Sequence, residues 1–398
     1  MLHSFREQYN REFTSEKYEQ MLRYIHSEHG ISPKFRIAET PVFIPKKLKN
    51  QLVEACTDIA NQINQADFKE KTEGAFIRKS LKIPNENAYS HFLQMDFAIC
   101  QDKEGELSPQ LIEMQGFPSL YFFQELLSRS YQEIFSISKE FSSHLGGLSG
   151  RDYLDLLRNI ILEEEHPENV VLLEVDPKNQ TTYIDFLACK KQTGTPILCI
   201  SDLIKRGKKL YYKNDQGIEV PIHRIFNRVI FDELNKRKDI KSPFRFQDEV
   251  DVEWVGHPSW FFRISKFTMP LLDNPYVPPS NWLHKIDQYP EHLDNYVLKP
   301  LFSFAGSGVD LHPTIEKLDA IQDRNNYILQ KKKNYVPIIE TTSDLAKCEI
   351  RMLMLWDKKE NKYQIVNNLV RLSKGEMIGV RFNKDRDWVG GSVGYFQD

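Results

Sequence analysis

The sequence lacks the patterns of several protein classes. None of its apolar runs approaches the ~18 residues of a membrane-spanning helix, and its opening, Met1-Leu2-His3-Ser4-Phe5-Arg6-Glu7, lacks the apolar core of a signal peptide. The net charge of −3 and the pI near 6.4 give no general attraction to nucleic acid or to an anionic membrane. We therefore expect a cytoplasmic protein that binds neither nucleic acid nor a membrane.

Cysteine is scarce, and its distribution excludes two further kinds of site. The five cysteines are an odd number, widely spaced and without a CxxC pair: Cys56, Cys100, Cys189, Cys199 and Cys348. We expect free buried thiols rather than a disulfide framework or a zinc site. The sequence also shows no Ser/His/Asp or Cys/His arrangement for covalent catalysis, so a catalytic site would have to work without an enzyme nucleophile.

The patterning of the chain indicates a folded α+β protein. Of its 398 residues, 40% are hydrophobic and 27% are charged. Apolar residues recur at helical spacing up to about residue 85, whereas strand-like alternation begins near Phe92. We divide the chain into four segments: 1–90, which is mainly helical, 91–145, 146–260 and 261–398.

Two carboxylates lie in neighbouring apolar strands. Residues 92–100 and 110–115 alternate as strands on either side of a charged turn, which predicts an antiparallel hairpin. Asp96 and Glu113 are spaced to meet across it, and Gln115 lies on the same face as Glu113. Carboxylate and amide oxygens suit Mg²⁺, so we predict a magnesium site here. The alternative is a hairpin whose carboxylates face solvent.

Two arginines follow a pattern that is typical of a parallel sheet. The apolar runs 170–175 and 196–200 flank a helical stretch at 182–190, which predicts a βαβ unit. Arg224 and Arg228 lie four residues apart around a later strand end. Both are therefore placed to reach an anion, unless they are surface residues.

A lysine precedes a loop of small residues. Lys299 ends the apolar strand 296–300, and the loop 301–309 follows, before a second apolar strand at 327–330. Glycines allow backbone N–H groups to approach an anion closely, which predicts a loop that covers a polyphosphate. The loop residues that we assign to this role are Ser303, Ala305, Gly306, Ser307 and Gly308. The alternative is a hairpin whose glycines only form the turn.

These parts resemble the ATP-grasp superfamily, and their order resembles its circularly permuted branch, which includes glutathionylspermidine synthetase. The resemblance covers about residues 90–385. By it, Lys266 and Lys299 match the two nucleotide-binding lysines, and Leu329 and Gln330 match the hinge against which adenine lies. The hairpin carboxylates match the Mg²⁺ ligands.

The resemblance assigns a role to each segment after the first. Residues 91–145 then hold the metal-binding hairpin of a circularly permuted ATP-grasp-like fold. Residues 146–260 form a small parallel α/β subdomain, and residues 261–398 hold the nucleotide-binding lysines, the loop, the hinge and the last strands.

Two positions depart from the family pattern. The metal motif Glu-x-Asn is here Glu113-Met114-Gln115, and the arginine expected two residues before the metal aspartate is Gln94. That arginine neutralises transition-state charge in the family. We therefore name Arg228, Arg351 and Arg371 as catalytic candidates in its place; the alternative is an altered activity.

The resemblance implies an ATP- and Mg²⁺-dependent ligase that joins a small-molecule carboxylate to an amine (or thiol) through an acyl phosphate. One alternative is a regulatory or scaffold module that binds nucleotide without turnover, which Gln94 and Gln115 favour. Another is a peptide-modifying ligase whose residues 1–90 recruit a polypeptide. The sequence names neither the substrates nor the oligomeric state.

Overall fold

The computed structural model of the chain describes residues 1–77, 81–303, 306–379, 383 and 385–397. Its helices are α1 (His3–Glu12), α2 (Ser15–His29), α3 (Lys46–Ile63), α4 (Phe68–Lys71), α5 (Tyr121–Ile134), α6 (Gly150–Leu162), α7 (Tyr183–Thr193), α8 (Phe231–Lys236), α9 (Ser259–Arg263) and α10 (Ile315–Asp319). Its strands are β1 (Val42–Ile44), β2 (Phe92–Gln101), β3 (Leu107–Gln115), β4 (Phe141–Ser142), β5 (Val170–Glu174), β6 (Ile197–Cys199), β7 (Ile204–Arg206), β8 (Lys209–Lys213), β9 (Glu219–Ile222), β10 (Arg224–Asn227), β11 (Glu253–Val255), β12 (Ser280–Trp282), β13 (Tyr296–Pro300), β14 (Tyr327–Lys331), β15 (Lys347–Asp357), β16 (Lys362–Ser373), β17 (Gly390–Ser392) and β18 (Gly394–Gln397). The α+β class is confirmed.

A five-stranded sheet with the order β17-β16-β15-β2-β3 forms the centre of the fold. The predicted hairpin of β2 and β3 is confirmed, and Asp96 lies opposite Glu113 in its register. Alternate residues of β2 point to opposite faces, so its odd-numbered apolar side chains join the main hydrophobic core. Gln94 and Asp96 lie on the other face, which holds the candidate site.

A four-stranded parallel sheet with the order β11-β10-β5-β6 lies in the middle of the chain. Its β5-α7-β6 unit is the predicted βαβ pattern, in which the helix carries the chain back so that the second strand runs parallel to the first. Strand β10 places Arg224 at its start and Arg228 just beyond its end. This sheet therefore presents Arg228 at the carboxyl end of its strands.

The strand before the glycine-rich loop belongs to a small antiparallel sheet. Strand β14 pairs with β13 on one side and with β12 on the other. Lys299 lies on β13 and Gln330 on β14. This sheet thus carries the second candidate lysine and the predicted hinge together.

The first segment of the chain is joined to the last strands. Strand β1 pairs in parallel with β18, which also pairs with β4. Helix α3 buries one apolar face in the main core, which includes Leu52, Ala55, Cys56, Ile59 and Ile63. The boundaries between the four segments stay predictions.

Two further expectations concern single features. All five cysteines are free, and four of them are buried. Across the part of the chain that the structure describes, no helix combines the length and the apolar character needed to span a membrane.

Candidate functional site

One face of the central sheet carries a row of charged side chains. The strand register places Arg371 opposite Glu349, Arg351 opposite Asp96, and Asp96 opposite Glu113. Paired residues of neighbouring strands lie on the same face with their Cβ atoms close together. The pairing of β16, β15, β2 and β3 therefore assembles three carboxylates and two guanidinium groups.

Asp96 lies at the centre of this row and is only 1% exposed. Arg351 donates to both of its carboxylate oxygens, with Nε 2.6 Å from Oδ1 and Nη2 2.7 Å from Oδ2. Arg371 Nη2 donates to the same Oδ2. Arginines therefore take three hydrogen bonds of this carboxylate, and its role as a Mg²⁺ ligand stays a prediction.

Glu113 contacts the first candidate lysine. Its Oε2 lies 2.9 Å from Lys266 Nζ, and its Oε1 accepts a hydrogen bond of 3.1 Å from Gln115 Nε2. Burial alone would raise the pKa of Glu113, but the charges of Lys266, Arg371 and Arg351 outweigh it and hold the pKa well below its ordinary value. Glu113 is thus a carboxylate held ionised by three cations.

Lys299 is buried close enough to Glu113 for their charges to interact. Its Nζ donates to the Ile112 carbonyl over 2.9 Å and to Gln330 Oε1 over 2.6 Å. Burial lowers the pKa of Lys299 to about 8, although the charge of Glu113 opposes the shift. Lys266 Nζ donates to the Ser303 carbonyl over 2.9 Å, which ties that lysine to the start of the loop.

Two glycines of the loop after β13 have a left-handed backbone conformation. Gly306 and Gly308 have φ values of 69° and 73°, which favour glycine. A Cβ on Gly308 would lie 2.8 Å from Pro300 Cγ. Ser307 is exposed, and Ala305 lies outside the described residues. The contacts of the loop with phosphate stay a prediction.

We expect Gly308→Ala to weaken ATP binding, because the new methyl group pushes the loop away from Pro300. The strain of a positive φ adds about 1 kcal/mol of destabilisation in any case. Gly207→Ala is the matched control, since Gly207 has φ 61° and no atom within 4 Å of the new methyl. Calorimetric titration with ATP and urea unfolding separate the two effects; equal ATP affinity in both variants would contradict the role of the loop.

The predicted hinge residues lie on the middle strand of their sheet. Leu329 is 1% exposed and packs in a small cluster with Leu283, Leu298 and Leu318. Gln330 is 2% exposed, and its Nε2 donates to Ser280 Oγ over 3.1 Å. The amide of Gln330 therefore orients Lys299, and contact of either residue with adenine stays a prediction.

Arg228 lies apart from the charged row. It is 3% exposed, and its guanidinium carbon lies 4.8 Å from the centre of the Phe117 ring and 5.3 Å from that of Phe186. Its Nε and Nη1 are buried, and no described residue offers them a hydrogen-bond acceptor. Burial lowers the pKa of Arg228, whereas the charges of Asp185 and Glu174 raise it.

A cavity of about 550 Å³ connects Arg228 with the row. Its lining includes Glu113, Gln115, Arg351 and Arg371 from the central sheet and Arg228 from the parallel sheet. Most of the remaining lining is apolar. All three catalytic candidates and two of the three metal candidates therefore meet one cavity.

Sequence reasoning missed three residues of this region. Glu349 lies 2.5 Å from Arg371 Nη2 and accepts a hydrogen bond from the Tyr335 hydroxyl. Burial raises the pKa of Glu349, although Arg371 opposes the shift. Glu174 also lines the cavity, and burial raises its pKa to about 8. For both glutamates the sequence offered a signal, namely a carboxylate inside an apolar strand. For Tyr335 it offered none.

The candidate site has the cationic side chains that the phosphates of a nucleotide require. Four cationic side chains (Lys266, Lys299, Arg351 and Arg371) lie beside three carboxylates (Asp96, Glu113 and Glu349), so the cations outnumber the carboxylates by one. Fewer of these residues are placed to hold Mg²⁺. No group of three or more His, Cys, Asp and Glu side chains among the described residues is placed to hold a metal. The magnesium prediction is better placed on Glu113 and Gln115 than on Asp96.

Comparisons with known proteins support the fold. No protein-family model and no curated protein sequence matches the chain. A solved glutathione synthetase-like effector from Globodera pallida, in its apo form, is similar over 96% of this chain and 96% of its own, with a TM-score of 0.62 and 14% identity. Circular permutation and the glutathionylspermidine synthetase branch stay predictions. The chain therefore shares the fold of this glutathione synthetase-like effector.

Proposed function

We propose that the protein is an ATP-dependent ligase that joins a carboxylate to an amine or thiol. One observation carries the proposal: Lys266, Lys299 and Glu113 converge beside a cavity that Arg351 and Arg371 line. Cations for phosphates and a neighbouring space for an organic substrate are the two parts that such a reaction needs. The similarity of fold to a glutathione synthetase-like protein agrees with this function.

The two lysines would hold the phosphates of ATP. Lys266 is fixed between Glu113 and the Ser303 carbonyl, and Lys299 is fixed by Gln330. Both ammonium groups are nearly buried, where electrostatic attraction is stronger than in water. ATP would supply the phosphoryl group that activates a carboxylate as an acyl phosphate. The loop that contains Ser303, Gly306, Ser307 and Gly308 would exclude water from that group.

The arginines would stabilise negative charge on the substrate. Asp96 fixes Arg351 by two hydrogen bonds and also accepts one from Arg371, so neither guanidinium has to reorganise during the reaction. Arg371 Nε has no hydrogen-bond partner among the described residues. We assign Arg371 to the oxyanion that forms when the amine attacks, and Arg351 to its support. Glu113 and Gln115 would hold Mg²⁺ where it accompanies ATP.

The proposal is tested by ADP release in the presence of mixed carboxylates and amines. We expect release to require an acid and ATP, and to increase when an amine is added, because the amine consumes the acyl phosphate. Omission of Mg²⁺ should abolish the signal. Binding of ATP without ADP release under all these mixtures would contradict the ligase and would instead indicate a nucleotide-binding module.

A further inference from the structure

Arg228, just beyond the end of β10, differs from Arg224, which begins that strand. Arg224 is 1% exposed, and its Nη1 lies 2.8 Å from Glu163 Oε2 and also contacts Glu253. Its Nε and Nη2 donate to backbone carbonyls over 3.1 and 3.0 Å. Arg228 is equally buried, but none of the ion pairs of the described residues includes it, and two of its nitrogens have no acceptor. A buried guanidinium without an acceptor is costly, which indicates that a ligand completes it.

The carboxylates nearest to Arg228 already have partners. Asp185 Oδ1 accepts hydrogen bonds of 2.9 Å from the backbone N–H groups of Phe122 and Phe123, at the start of α5. Its Oδ2 accepts one of 3.2 Å from Leu120. Glu174 Oε1 accepts a hydrogen bond of 2.7 Å from the Val175 N–H. Asp185 is thus committed to capping a helix, and Arg228 is left facing the cavity.

We propose that the cavity binds a substrate with two carboxylates, of which Arg228 binds the one that does not react. The guanidinium fork matches a carboxylate in two hydrogen bonds. The first carboxylate, near Arg351 and Arg371, rests on the ligase function proposed above. The second rests on Arg228 alone, so Arg228 selects the substrate and is not a catalytic residue.

The surroundings favour a carboxylate over a phosphate at this position. Arg228 supplies one positive charge, and the negative charge of Asp185 lies within its electrostatic reach. A dianionic phosphate would add repulsion that one guanidinium cannot offset. The lining of the cavity is largely apolar and includes Phe35, Phe123 and Leu369; its further cation, Arg36, pairs with Glu39. A volume of about 550 Å³ suits a small molecule with an apolar middle and two acidic ends.

The first test needs no ligand. Because Arg228 is unpaired without substrate, we expect Arg228→Met to leave the melting temperature unchanged or to raise it by about 1–3 °C. Arg224→Met is the matched control at the other end of β10; it removes the cation that pairs with Glu163 and Glu253 and the donors to two backbone carbonyls, and should lower the melting temperature by roughly 5 °C. A loss in Arg228→Met as large as that in Arg224→Met would show a structural arginine and overturn the proposal.

The second test uses linear dicarboxylates from glutarate to sebacate, each compared with its monomethyl ester, in calorimetric titrations without ATP. We expect at least one diacid to bind the wild-type protein about 10- to 100-fold more tightly than its ester, because the ester loses one charged hydrogen-bonded pair. The preference should fall below about twofold in Arg228→Met and be partly kept in Arg228→Lys. The phosphonate analogue of that diacid should bind more weakly. Equal binding of every diacid and its ester, or a preference that survives in Arg228→Met, would overturn the proposal.

The third test is the pH dependence of diacid binding. Burial, opposed by Arg228, raises the pKa of Glu174 to about 8, so above pH 8 a second negative charge competes with the ligand. The other titratable groups near the pair are Asp185, Glu233 and Cys189, and burial keeps the Cys189 thiol neutral up to about pH 12. We expect affinity to fall above pH 8 in the wild type and to fall less in Glu174→Gln, whose amide oxygen still accepts the Val175 N–H. Loss of the Lys299 charge, whose pKa is also about 8, affects both proteins alike. The same fall in both proteins would overturn the role of this pair.

The failures of the two proposals are distinguishable. Diacid binding is measured without ATP, whereas the ligase is tested by ADP release. Arg228-dependent binding without ADP release would contradict only the ligase proposal. ADP release with acids whose KM is the same in the wild type and in Arg228→Met would contradict only the proposal that Arg228 binds a second carboxylate.

Discussion

Replacement of Lys299 by methionine should reduce ATP turnover by at least about 10²–10³-fold, the usual effect of removing one fixed charge at a developing negative centre. Methionine has nearly the same length but no charge, so it also leaves Gln330 Oε1 and the Ile112 carbonyl without their donor. ADP release measures the turnover, and circular dichroism shows whether the fold is kept. If the folded variant turns over ATP at the wild-type rate, Lys299 does not contact the phosphates.

Lys331 provides the control for this experiment. It lies opposite Tyr296 in the same sheet, but its side chain is exposed. Lys331→Met removes one positive charge from the same protein without altering the buried side chains of the candidate site. We expect its turnover to stay within about twofold of the wild type, because exposed charges are screened by solvent and salt.

The second large effect concerns stability. Asp96→Asn should lower the free energy of unfolding by about 3–5 kcal/mol, because it removes the carboxylate that pairs with the buried Arg351 and one of the two that pair with Arg371. The side chains of Asp96, Arg351 and Arg371 are 2%, 8% and 28% exposed, so solvent compensates little of this loss. Urea unfolding of the wild type and the variant measures the difference.

Asp67→Asn is the matched substitution at the surface. Asp67 pairs with Lys71 one helical turn away, and both side chains are about half exposed. Such a pair contributes about 0.3–0.5 kcal/mol. If Asp96→Asn were no more destabilising than Asp67→Asn, Asp96 would not anchor the arginines, and its assignment as a Mg²⁺ ligand would regain support.

The local patterns of the sequence predicted the fold where structure depends on neighbouring residues. Alternation at β2 and β3 predicted the hairpin and the meeting of Asp96 with Glu113, and the βαβ pattern predicted the parallel pair β5 and β6. The loop after β13 was predicted from its small residues by the same kind of local rule. Period and turn chemistry are encoded within a few residues, so a single sequence reveals them.

The composition of the candidate site was harder to predict, because it depends on strands that are distant in the sequence. No local pattern states that β15 pairs with β2, yet that register places Arg351 against Asp96, which the sequence had indicated only as a metal candidate. The cavity likewise takes its walls from residues 35–36, from the hairpin and from residues near 390. Pairing over such distances is fixed by the packing of the whole core rather than by local preference.

The pairing of β1 with β18 has a consequence for how the protein is made. A ribosome synthesises residues 42–44 long before residues 394–396, which are their hydrogen-bonding partners. Until then β1 has an unsatisfied edge and its apolar side chains lack their cover, a condition in which nascent chains associate with other molecules. Assembly of this sheet is therefore a late, slow event, since contacts between distant residues require a large loop to close first.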